Sequence, residues 1–385
     1  MRLAFCLFKY FPFGGLQRDC LEIVLACRQR EHEVTLFTME WAGPVPDGLN
    51  VEIVQSTGMT NHGRCNSFVK AVLPRLQSER FDVVVGFNKM PGLDLYYVGD
   101  PCYQERVRKK YLQRWAPFHK FTPRFRRYVA LEKAVFDPRS RAEIILLSPL
   151  HQEVYARQYG TPRERFHVLP PGICNDRHPS SQAGIVREEV RKELLRSAEE
   201  ILLLMVGSDW RGKGFDRTAH AVASLPAEVR RATRLVAVGE TGLRPYAQMA
   251  KRLGIDNRVS FLPPRHDIGR FFHGADLLVH AAYSENTGGV ILESMLHGLP
   301  VLTTDVCGYA EHVNAANAGV VIPSPFRQET MNRVLLDLAR SPNRQVLGTN
   351  AQTFAQSMDL YTRPSRVVEL IEARAERNRR AVPSA

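Results

Sequence analysis

The stretch YSENTGGVILESMLHGLPVLTTD, residues 283–305, decides the fold of this 385-residue chain. It follows an apolar run, Asp276 to His280, that we predict to be a strand, and it ends in a second apolar run. Between the two runs, the pattern predicts a helix that is capped by Asn286 or Thr287 and stops at Gly298. Two apolar strands joined by a helix form a parallel β-α-β unit.

The same alternation of short apolar runs and helical segments recurs along the whole chain. Runs that are apolar on both faces and separated by helices are typical of parallel strands in open α/β sheets. The predicted strands of the first half are Leu3 to Phe8, Glu33 to Thr38, Val51 to Val54, Asp82 to Phe87 and Ile144 to Leu147. Those of the second half are Ile201 to Val206, Arg234 to Val238, Val259 to Leu262, Asp276 to His280, Val301 to Thr304 and Val320 to Ile322.

Two series of strands predict two doubly wound, Rossmann-like domains. We place the boundary at Leu169-Pro170-Pro171-Gly172, because two prolines and a glycine interrupt any regular element. The predicted domains are therefore 1–169 and 170–357, with a C-terminal helix, 358–379, that returns to pack on the first domain. Since ligands bind at the carboxyl ends of strands in such sheets, we expect the domains to face a central cleft.

Composition excludes several classes of protein. With 44% hydrophobic and 24% charged residues, the chain is neither disordered nor collagenous. The seven cysteines are scattered without a C-x-x-C pair, which argues against a disulfide framework or a zinc site. No apolar run approaches the length of a membrane span, so we expect a cytoplasmic protein. The net charge of +12 indicates an anionic partner: nucleic acid, an acidic membrane surface or a phosphorylated substrate.

Two glycine-containing segments follow the first strands of the two halves. In KYFPFGGLQRD, residues 9–19, the glycines allow close approach to a ligand at a helix start, and a simple tight turn is the alternative. Glu40, which ends the second strand, is placed like the ribose-binding acid of a nicotinamide enzyme, but the G-x-G-x-x-G spacing is missing. In VGSDWRGKG, residues 206–214, Lys213 is placed to neutralise a phosphate or is simply a solvated surface lysine.

The third segment, 283–305, places two carboxylates eight residues apart around a glycine-rich helix start. The helix dipole and free N–H groups beside Gly288 and Gly289 favour a diphosphate. Glu285 would reach the sugar next to it, and Glu293 would accept hydrogen bonds from the two hydroxyls of a ribose. The alternative is two unrelated glutamates around a helix start.

Together these segments resemble the retaining GT-B glycosyltransferases of the E-x7-E type. The resemblance is stronger to the lipopolysaccharide core glucosyltransferase I group of Gram-negative bacteria, and it extends from about residue 1 to residue 372. It is carried by the motifs FCLFKYFPFGGLQRD, TNHGR, VGFNKMPGLD, LPPGI, GSD with the following KG, and LPVLTTDVCGYA.

The resemblance implies a role for each matching residue. The backbone of Gly15 and of Thr287 to Val290, with Lys213 and Arg177, would hold the donor diphosphate. Glu293 would hold the ribose, and the loop Pro264 to Ile268 would form the uracil pocket. The predicted donor-binding residues are Gly14, Gly15, Arg177, Ser208, Arg211, Lys213, Arg265, Asn286, Thr287, Gly288, Gly289, Val290 and Glu293.

Three acids are the predicted catalytic residues. Glu285 would contact hydroxyls of the donor sugar. Asp19 resembles the acid of the first glycine loop, and Asp100 resembles a polar group on the acceptor side. The chain has no D-x-D, so we expect no metal and no cofactor besides the UDP-sugar substrate. His62, His280 and His297 are interpreted as packing or capping residues.

The sequence departs from the family pattern at a few positions. Ser208 stands where the wider family has arginine, and Arg211 lies one residue earlier than the arginine of the nearer group. Glu31 replaces the glycine of a turn, at a cost of ~1 kcal/mol if its φ is positive. Asn286-Thr287 replaces small apolar residues beside the donor sugar, which makes an N-acetylhexosamine as conceivable as glucose.

A basic aromatic segment extends from Tyr103 to Tyr128. It holds nine lysines or arginines against the single acid Glu105, and seven aromatic residues are interleaved with them. Such a composition favours an anionic membrane surface, where cations and aromatic rings both bind. A single-stranded nucleic acid and a solvated loop are the alternatives.

The sequence thus predicts a monomeric, metal-independent enzyme on the cytoplasmic face of the inner membrane. It would transfer a hexose, glucose first, from a UDP-sugar to a heptose of the lipopolysaccharide inner core with retention of configuration. The rival hypothesis is a basic nucleic-acid-binding protein, which gives no reason for the carboxylate pair; we expect no nucleic-acid partner.

Overall fold

The computed structural model describes residues 1–112, 122–195, 197, 199–239 and 242–381. The chain forms two compact units. The first contains Met1–Pro170 together with Thr362–Ala385, and the second contains Pro171–Tyr361. Each unit is built on its own parallel sheet, as the alternation of strands and helices predicts.

The first unit has a seven-stranded sheet in the order β5-β3-β1-β6-β7-β8-β9, in which every strand pair is parallel. Its strands are β1 (Arg2–Cys6), β3 (Glu33–Thr38), β5 (Asn50–Ile53), β6 (Val83–Gly86), β7 (Leu95–Tyr97), β8 (Glu143–Leu146) and β9 (Phe166–Val168). A separate two-stranded parallel sheet joins β2 (Lys9–Tyr10) to β4 (Glu40–Trp41). Its helices are α1 (Gly15–Gln29), α2 (Asn61–Ser78), α3 (Tyr103–Leu112), α4 (Pro123–Phe136), α5 (Gln152–Tyr159) and, after the second unit, α15 (Arg363–Ala381).

The second unit has a six-stranded parallel sheet in the order β12-β11-β10-β13-β14-β15. Its strands are β10 (Ile201–Val206), β11 (Thr233–Val238), β12 (Val259–Leu262), β13 (Leu277–His280), β14 (Val301–Thr304) and β15 (Gly319–Ile322). Its helices are α6 (Ala183–Leu194), α7 (Phe215–Ser224), α8 (Ala227–Arg231), α9 (Arg244–Arg252), α10 (Ile268–Gly274), α11 (Gly289–Leu296), α12 (Ala310–Ala315), α13 (Gln328–Arg340) and α14 (Arg344–Gln356). This is the strand order of the Rossmann fold.

Alternating side chains of the central strands enter two apolar layers, one on each face of the sheet. In β10, Leu202 and Leu204 join one buried cluster, whereas Leu203 and Met205 join the other. This follows from the two-residue period of a strand that is covered by helices on both sides. The all-apolar runs of the sequence therefore form the centre of each domain.

The C-terminal helix α15 packs against α1 of the first unit. Val367, Val368 and Ile371 lie buried in the same cluster as Ile23 and Val24. The helix begins at Arg363 rather than at the predicted residue 358, because the chain before it still belongs to the second unit.

The cysteines and the helices match the sequence-based exclusions. All seven cysteines lie in the described part of the chain, and each is a buried free thiol. Among the described residues, no helix combines the length and apolar character needed to cross a bilayer.

Candidate active site

The order of strands places one crevice in the second sheet. The strands β10 and β13 are neighbours, yet β11 and β12 extend the sheet from β10 in one direction and β14 and β15 extend it from β13 in the other. At such a switch point the two following loops diverge and leave room for a ligand at the carboxyl ends of the strands. The loops that diverge here are 207–214 and 281–288, which are the two motifs that the sequence singles out.

The loop after β10 is folded so that Lys213 lies beside the end of β13. Asp209 Oδ1 accepts a hydrogen bond from the N–H of Gly212 at 3.0 Å, and the carbonyl of Gly212 accepts one from the N–H of Tyr283 at 2.9 Å. Gly214 has φ +76°, and a Cβ there would lie 2.0 Å from the carbonyl oxygen of Ala281. Only glycine permits that approach.

Ser208 and Arg211, the other predicted members of this loop, are both exposed. Lys213 is the residue of the loop that pairs with Glu285.

Glu285 is the centre of a charge cluster. Its Oε2 accepts hydrogen bonds from Lys213 Nζ and from His280 Nε2, the latter at 3.3 Å, and its Oε1 accepts one from the N–H of Asn286 at 3.1 Å. Burial alone would raise the pKa of Glu285, but the charge of Lys213 and the bond from His280 outweigh burial and hold the pKa well below its ordinary value. The carboxylate is therefore ionised.

The ion pair also favours the charged form of Lys213. Burial lowers the pKa of Lys213, but the neighbouring Glu285 carboxylate outweighs burial and raises it. Lys213 thus remains an ammonium ion, held beside the switch point by the carboxylate of Glu285.

Helix α11 begins at a backbone cap, which corrects the predicted cap. The N-cap residue is Gly288, with φ 77° and ψ 54°, and neither Asn286 nor Thr287 takes that place. The reason is the left-handed backbone at Gly288, which a residue with a side chain adopts only with strain. Thr287 instead uses its carbonyl to accept a hydrogen bond from the N–H of Tyr309 at 2.8 Å. The first turn, which includes Gly289 and Val290, therefore presents backbone N–H groups at this point.

Glu293 lies on α11 and is paired with Arg177. The distance from Glu293 Oε1 to Arg177 Nε is 3.6 Å, and Arg177 Nη1 donates to the carbonyl of His266 at 3.3 Å. The predicted ribose acid, the predicted phosphate arginine and the loop Pro264 to Ile268 are thus brought together in the second unit.

Arg265 is engaged within its own loop. It makes two hydrogen bonds of 2.7 Å to the two carboxylate oxygens of Asp267. These bonds outweigh the effect of burial and lower the pKa of Asp267 to about 2. Arg265 therefore stiffens the predicted uracil loop through a fork of parallel bonds.

The first glycine motif forms the start of α1. Gly14 is the N-cap residue and Gly15 is the first helical residue. A Cβ at Gly15 would meet nothing within 4 Å, which leaves open space beside its backbone. The position of Gly15 at a helix start after β1 matches the predicted arrangement.

The structure corrects the prediction that Asp19 is a loop acid. Asp19 lies inside α1 and is buried. Its Oδ2 accepts from the hydroxyl of Tyr97 at 2.8 Å, and its Oδ1 accepts from Arg363 at 2.7 Å. The physical reason is that helix α1 starts at Gly15, so residue 19 is one turn inside it and faces the core. Asp100, by contrast, is exposed after β7.

His280 belongs to the cluster, although the sequence analysis interprets it as a packing residue. It is fully buried at the end of β13, and its ring contacts Glu285. The sequence feature that could have indicated this role is a histidine at the end of an otherwise apolar strand, directly before the loop that contains Glu285.

The basic aromatic segment is described only at its two ends. Residues 113–121 lie outside the described residues, as do the side chains of 109–112. At the first end, the buried carboxylate of Glu132 accepts hydrogen bonds from the N–H groups of Tyr103 and Gln104, at 2.8 and 3.1 Å, and so holds the start of α3. At the second end, three arginines of α4 are exposed: Arg124, Arg126 and Arg127.

Comparison with known proteins agrees with this architecture. Residues 186–354 match the family model described as "Glycosyl transferases group 1", and residues 13–177 match "Glycosyltransferase Family 4". The lipopolysaccharide glucosyltransferase WaaG of Escherichia coli (strain K12) is 41% identical over 372 residues, which are 96% of this chain and 98% of the relative. The chain belongs to the WaaG family of glycosyltransferases.

Solved structures extend the comparison. The crystal structure of WaaG superimposes with a TM-score of 0.90 at 40% identity, over 96% of this chain and 99% of the other. Anabaena Alr3699/HepE, solved in complex with UDP and glucose, has a TM-score of 0.72 at 21% identity, over 96% and 99% of the two chains, and so shares the fold. The two Rossmann-like domains are therefore those of a GT-B glycosyltransferase.

Family membership also decides between the alternative interpretations. A glycosyltransferase accounts for both carboxylates of 283–305, which a nucleic-acid-binding protein does not. Glu40, considered as a nicotinamide-ribose acid, is instead paired with Lys9 at 2.9 Å and with Arg64. Hydrogen bonds from these two cations lower the pKa of Glu40.

Proposed function

We propose that the protein transfers glucose from UDP-glucose to a heptose of the lipopolysaccharide inner core, with retention of configuration. The observation that carries the proposal is the ion pair of Lys213 and Glu285 beside the start of α11. The relative that covers nearly the whole chain is named a lipopolysaccharide glucosyltransferase, which supports the acceptor and the sugar.

The geometry suggests how the donor would be held. A diphosphate carries more charge than one carboxylate, so it would compete with Glu285 for Lys213. The N–H groups at the start of α11 would stabilise the charge that develops on UDP as the glycosidic bond breaks. Glu285, released from the lysine, would accept hydrogen bonds from the sugar hydroxyls, and Glu293 would accept them from the ribose.

The test is a donor panel with a heptose-containing core acceptor. UDP-glucose, UDP-galactose and their N-acetylamino forms are compared by product mass, and transfer from UDP-glucose is the expected result. Lys213→Ala should raise the KM for the donor and lower kcat, whereas Lys251→Ala, which removes an exposed lysine of α9, serves as the matched control. Wild-type enzyme that transfers nothing from UDP-glucose contradicts the proposal.

A second donor follows from one feature of the site. Asn286 is buried next to Glu285, and its side-chain amide has both a donor and an acceptor for the acetamido group of such a donor. Preferred transfer from a UDP-N-acetylhexosamine in the same panel would favour this second donor and exclude glucose.

We further propose that the transfer needs no divalent ion and that the enzyme acts as a monomer. The positive charge would come from Lys213 and Arg177, with the start of α11 adding its dipole. Transfer should stay within about twofold of its initial rate in excess EDTA, because these groups are covalent parts of the chain. Loss of transfer in EDTA, with recovery on adding Mg²⁺, contradicts this part of the proposal.

Membrane docking through Tyr103 to Tyr128 is the proposed means of reaching the acceptor. The exposed arginines at the start of α4 support it, since each cation near an anionic surface contributes about 1 kcal/mol. Reversal of Arg124, Arg126 and Arg127 to glutamate should abolish sedimentation with vesicles that contain anionic lipid. The matched control reverses three exposed arginines of the second unit, Arg231, Arg244 and Arg252. Equal binding of the two triple variants refutes docking through this segment.

A further inference from the structure

His280 occupies a place in the sheet where a polar side chain needs a partner. It is the last residue of β13, which lies between β10 and β14, and its side chain is 1% exposed. The other residues of β13 are leucines and a valine, all of them buried. Because an imidazole without a hydrogen bond is costly to bury, its contact with Glu285 is the feature to explain.

The chemistry of the contact fixes the proton. An ionised carboxylate only accepts hydrogen bonds, so the 3.3 Å contact with Glu285 Oε2 requires the proton of the ring to lie on Nε2. The charged or titratable groups facing the ring are Glu285, Lys213 and Cys307. Burial lowers the pKa of His280, but Cys307 and Glu285 outweigh burial and raise it, while Lys213 opposes them.

The two side-chain donors to Glu285 differ in how firmly they are held. The carbonyl of His280 accepts a hydrogen bond from Thr303 Oγ1 at 3.0 Å, and the two residues are paired in the register of β13 and β14. Its ring therefore projects from a fixed point in the sheet. Lys213, by contrast, reaches Glu285 on a flexible four-carbon chain.

We propose that His280 positions the catalytic-loop carboxylate, holding Glu285 in place when Lys213 leaves it for the donor diphosphate. The inference rests on the proposed function, because it assigns Glu285 to the donor sugar. His280 acts only through Glu285 and touches neither the nucleotide nor the acceptor. It is a positioning residue.

The first experiment compares His280→Leu with His280→Gln. Leucine keeps an apolar side chain in the sheet and removes the donor, so kcat should fall by about 10–100-fold, as for other residues that orient a functional group. The KM for UDP-glucose should change less than about threefold, because the nucleotide contacts remain. Glutamine restores an N–H near the position of Nε2, and kcat should return to within about fivefold of wild type. A leucine variant with wild-type kcat, or a glutamine variant as slow as leucine, overturns the proposal.

The second experiment separates positioning from packing. In a Glu285→Ala background, which removes the acceptor altogether, adding His280→Leu should lower kcat by less than about twofold, since a residue that acts through Glu285 has nothing left to orient. His312→Leu, which removes a half-buried histidine of α12, is the matched control and should leave kcat unchanged in both backgrounds. Additive losses overturn the proposal.

The third measurement does not depend on transfer. The pKa of the His280 imidazole, followed by NMR titration, should fall in Glu285→Gln, because the carboxylate charge that favours the imidazolium is gone. An unchanged pKa refutes the positioning contact, whatever the enzyme transfers. Wild-type protein that fails to use UDP-glucose while showing this pKa shift refutes the proposed function and retains the contact.

Discussion

Two carboxylates with little exposed surface, Asp19 of the first unit and Glu285 of the second, follow central strands of similar sheets but have different partners. Asp19 is bonded to Tyr97 and to Arg363, so it joins α1 to β7 and to the C-terminal helix. Glu285 is bonded to Lys213 and His280 at a switch point. An acid near a glycine-rich helix start is therefore not enough to identify a binding site. The residues to which the acid is bonded must also be known.

The two ion pairs, Asp19–Arg363 and Lys213–Glu285, differ in how exposed their cations are. Arg363 is 7% exposed in its side chain and Asp19 is 11% exposed, so separating them would leave a charge buried without compensation. Lys213 is 25% exposed in its side chain and sits beside the start of α11, where an anion can take over the lysine. The Asp19–Arg363 pair is thus more enclosed than the Lys213–Glu285 pair, and we propose that only the latter is open to a bound anion.

The largest expected effect that tests this contrast is on Glu285. Glu285→Ala should lower kcat/KM for transfer by about 10³-fold, equivalent to about 4 kcal/mol of transition-state stabilisation, while the thermal midpoint falls only by the cost of leaving His280 without its acceptor. Initial rates with UDP-glucose and a differential scanning experiment give the two numbers. Full transfer by the variant would remove Glu285 from the site.

Asp19→Asn should show the reverse pattern. It leaves Arg363 without its counter-charge, so the free energy of unfolding should fall by about 3 kcal/mol, the lower end for breaking a buried pair. The transfer rate per folded molecule should stay within about threefold. Urea unfolding measures the first quantity, with the exposed Asp47→Asn as control. A stable variant that has lost transfer would return Asp19 to the catalytic residues.

Most of the fold can be predicted from the sequence, because most strands coincide with short apolar runs. All six strands of the second unit are predicted, and β10, β12 and β14 have the predicted bounds. The strands β7 and β9 are missed, since each has only three residues. Longer strands can be predicted from local composition, whereas three-residue strands depend on pairing with neighbours that the sequence does not reveal.

The site is less predictable than the fold, for a geometrical reason. Both loops follow parallel strands, so the sequence predicts that Lys213 and Glu285 lie at the same edge of the sheet. It also predicts that the site consists of an acid, a lysine and a helix start. It does not reveal that Gly288 takes a left-handed backbone or that Asp19 faces Arg363, which is 344 residues away in the chain. The contact of His280 with Glu285 depends likewise on how the intervening loop folds.

A smaller effect is expected on the pH dependence of stability in the first unit, where Glu143 forms an ion pair. Glu143 of β8 accepts hydrogen bonds from His167 at 2.7 Å and from Arg377 of α15 at 2.8 Å. Burial raises its pKa, but these bonds outweigh burial and lower the pKa from 4.5 to about 2. A lowered pKa stabilises the fold above the ordinary value, and that stability is lost as pH falls from 4.5 towards 2.

The measurement compares wild type with Glu143→Gln. Wild type should exceed the variant by about 1–2 kcal/mol of unfolding free energy at pH 7, a figure reduced for the exposure of Arg377. The gap should narrow as pH falls below about 4.5. A gap that is constant with pH would mean that Glu143 contributes through packing and not through its charge.

The smallest effect contrasts the ends of two helices. Glu31 follows the C-cap of α1 with φ 60°, and Gly298 follows the C-cap of α11 with φ 72°. A left-handed backbone at this position favours glycine. Glu31→Gly should therefore raise the free energy of unfolding by about 0.5–1 kcal/mol, and Gly298→Ala should lower it by about 1 kcal/mol.

The two variants are informative because neither substitution introduces a steric clash. A Cβ at Gly298 would lie no closer than 3.7 Å to the side chain of Gln352 and the backbone of Gly348, so an alanine there meets no collision. Backbone strain is then the cause of any loss, and urea midpoints at constant m measure it. If Glu31→Gly fails to stabilise the protein while Gly298→Ala destabilises it, the first unit tolerates the strained turn through contacts of Glu31 that glycine would remove.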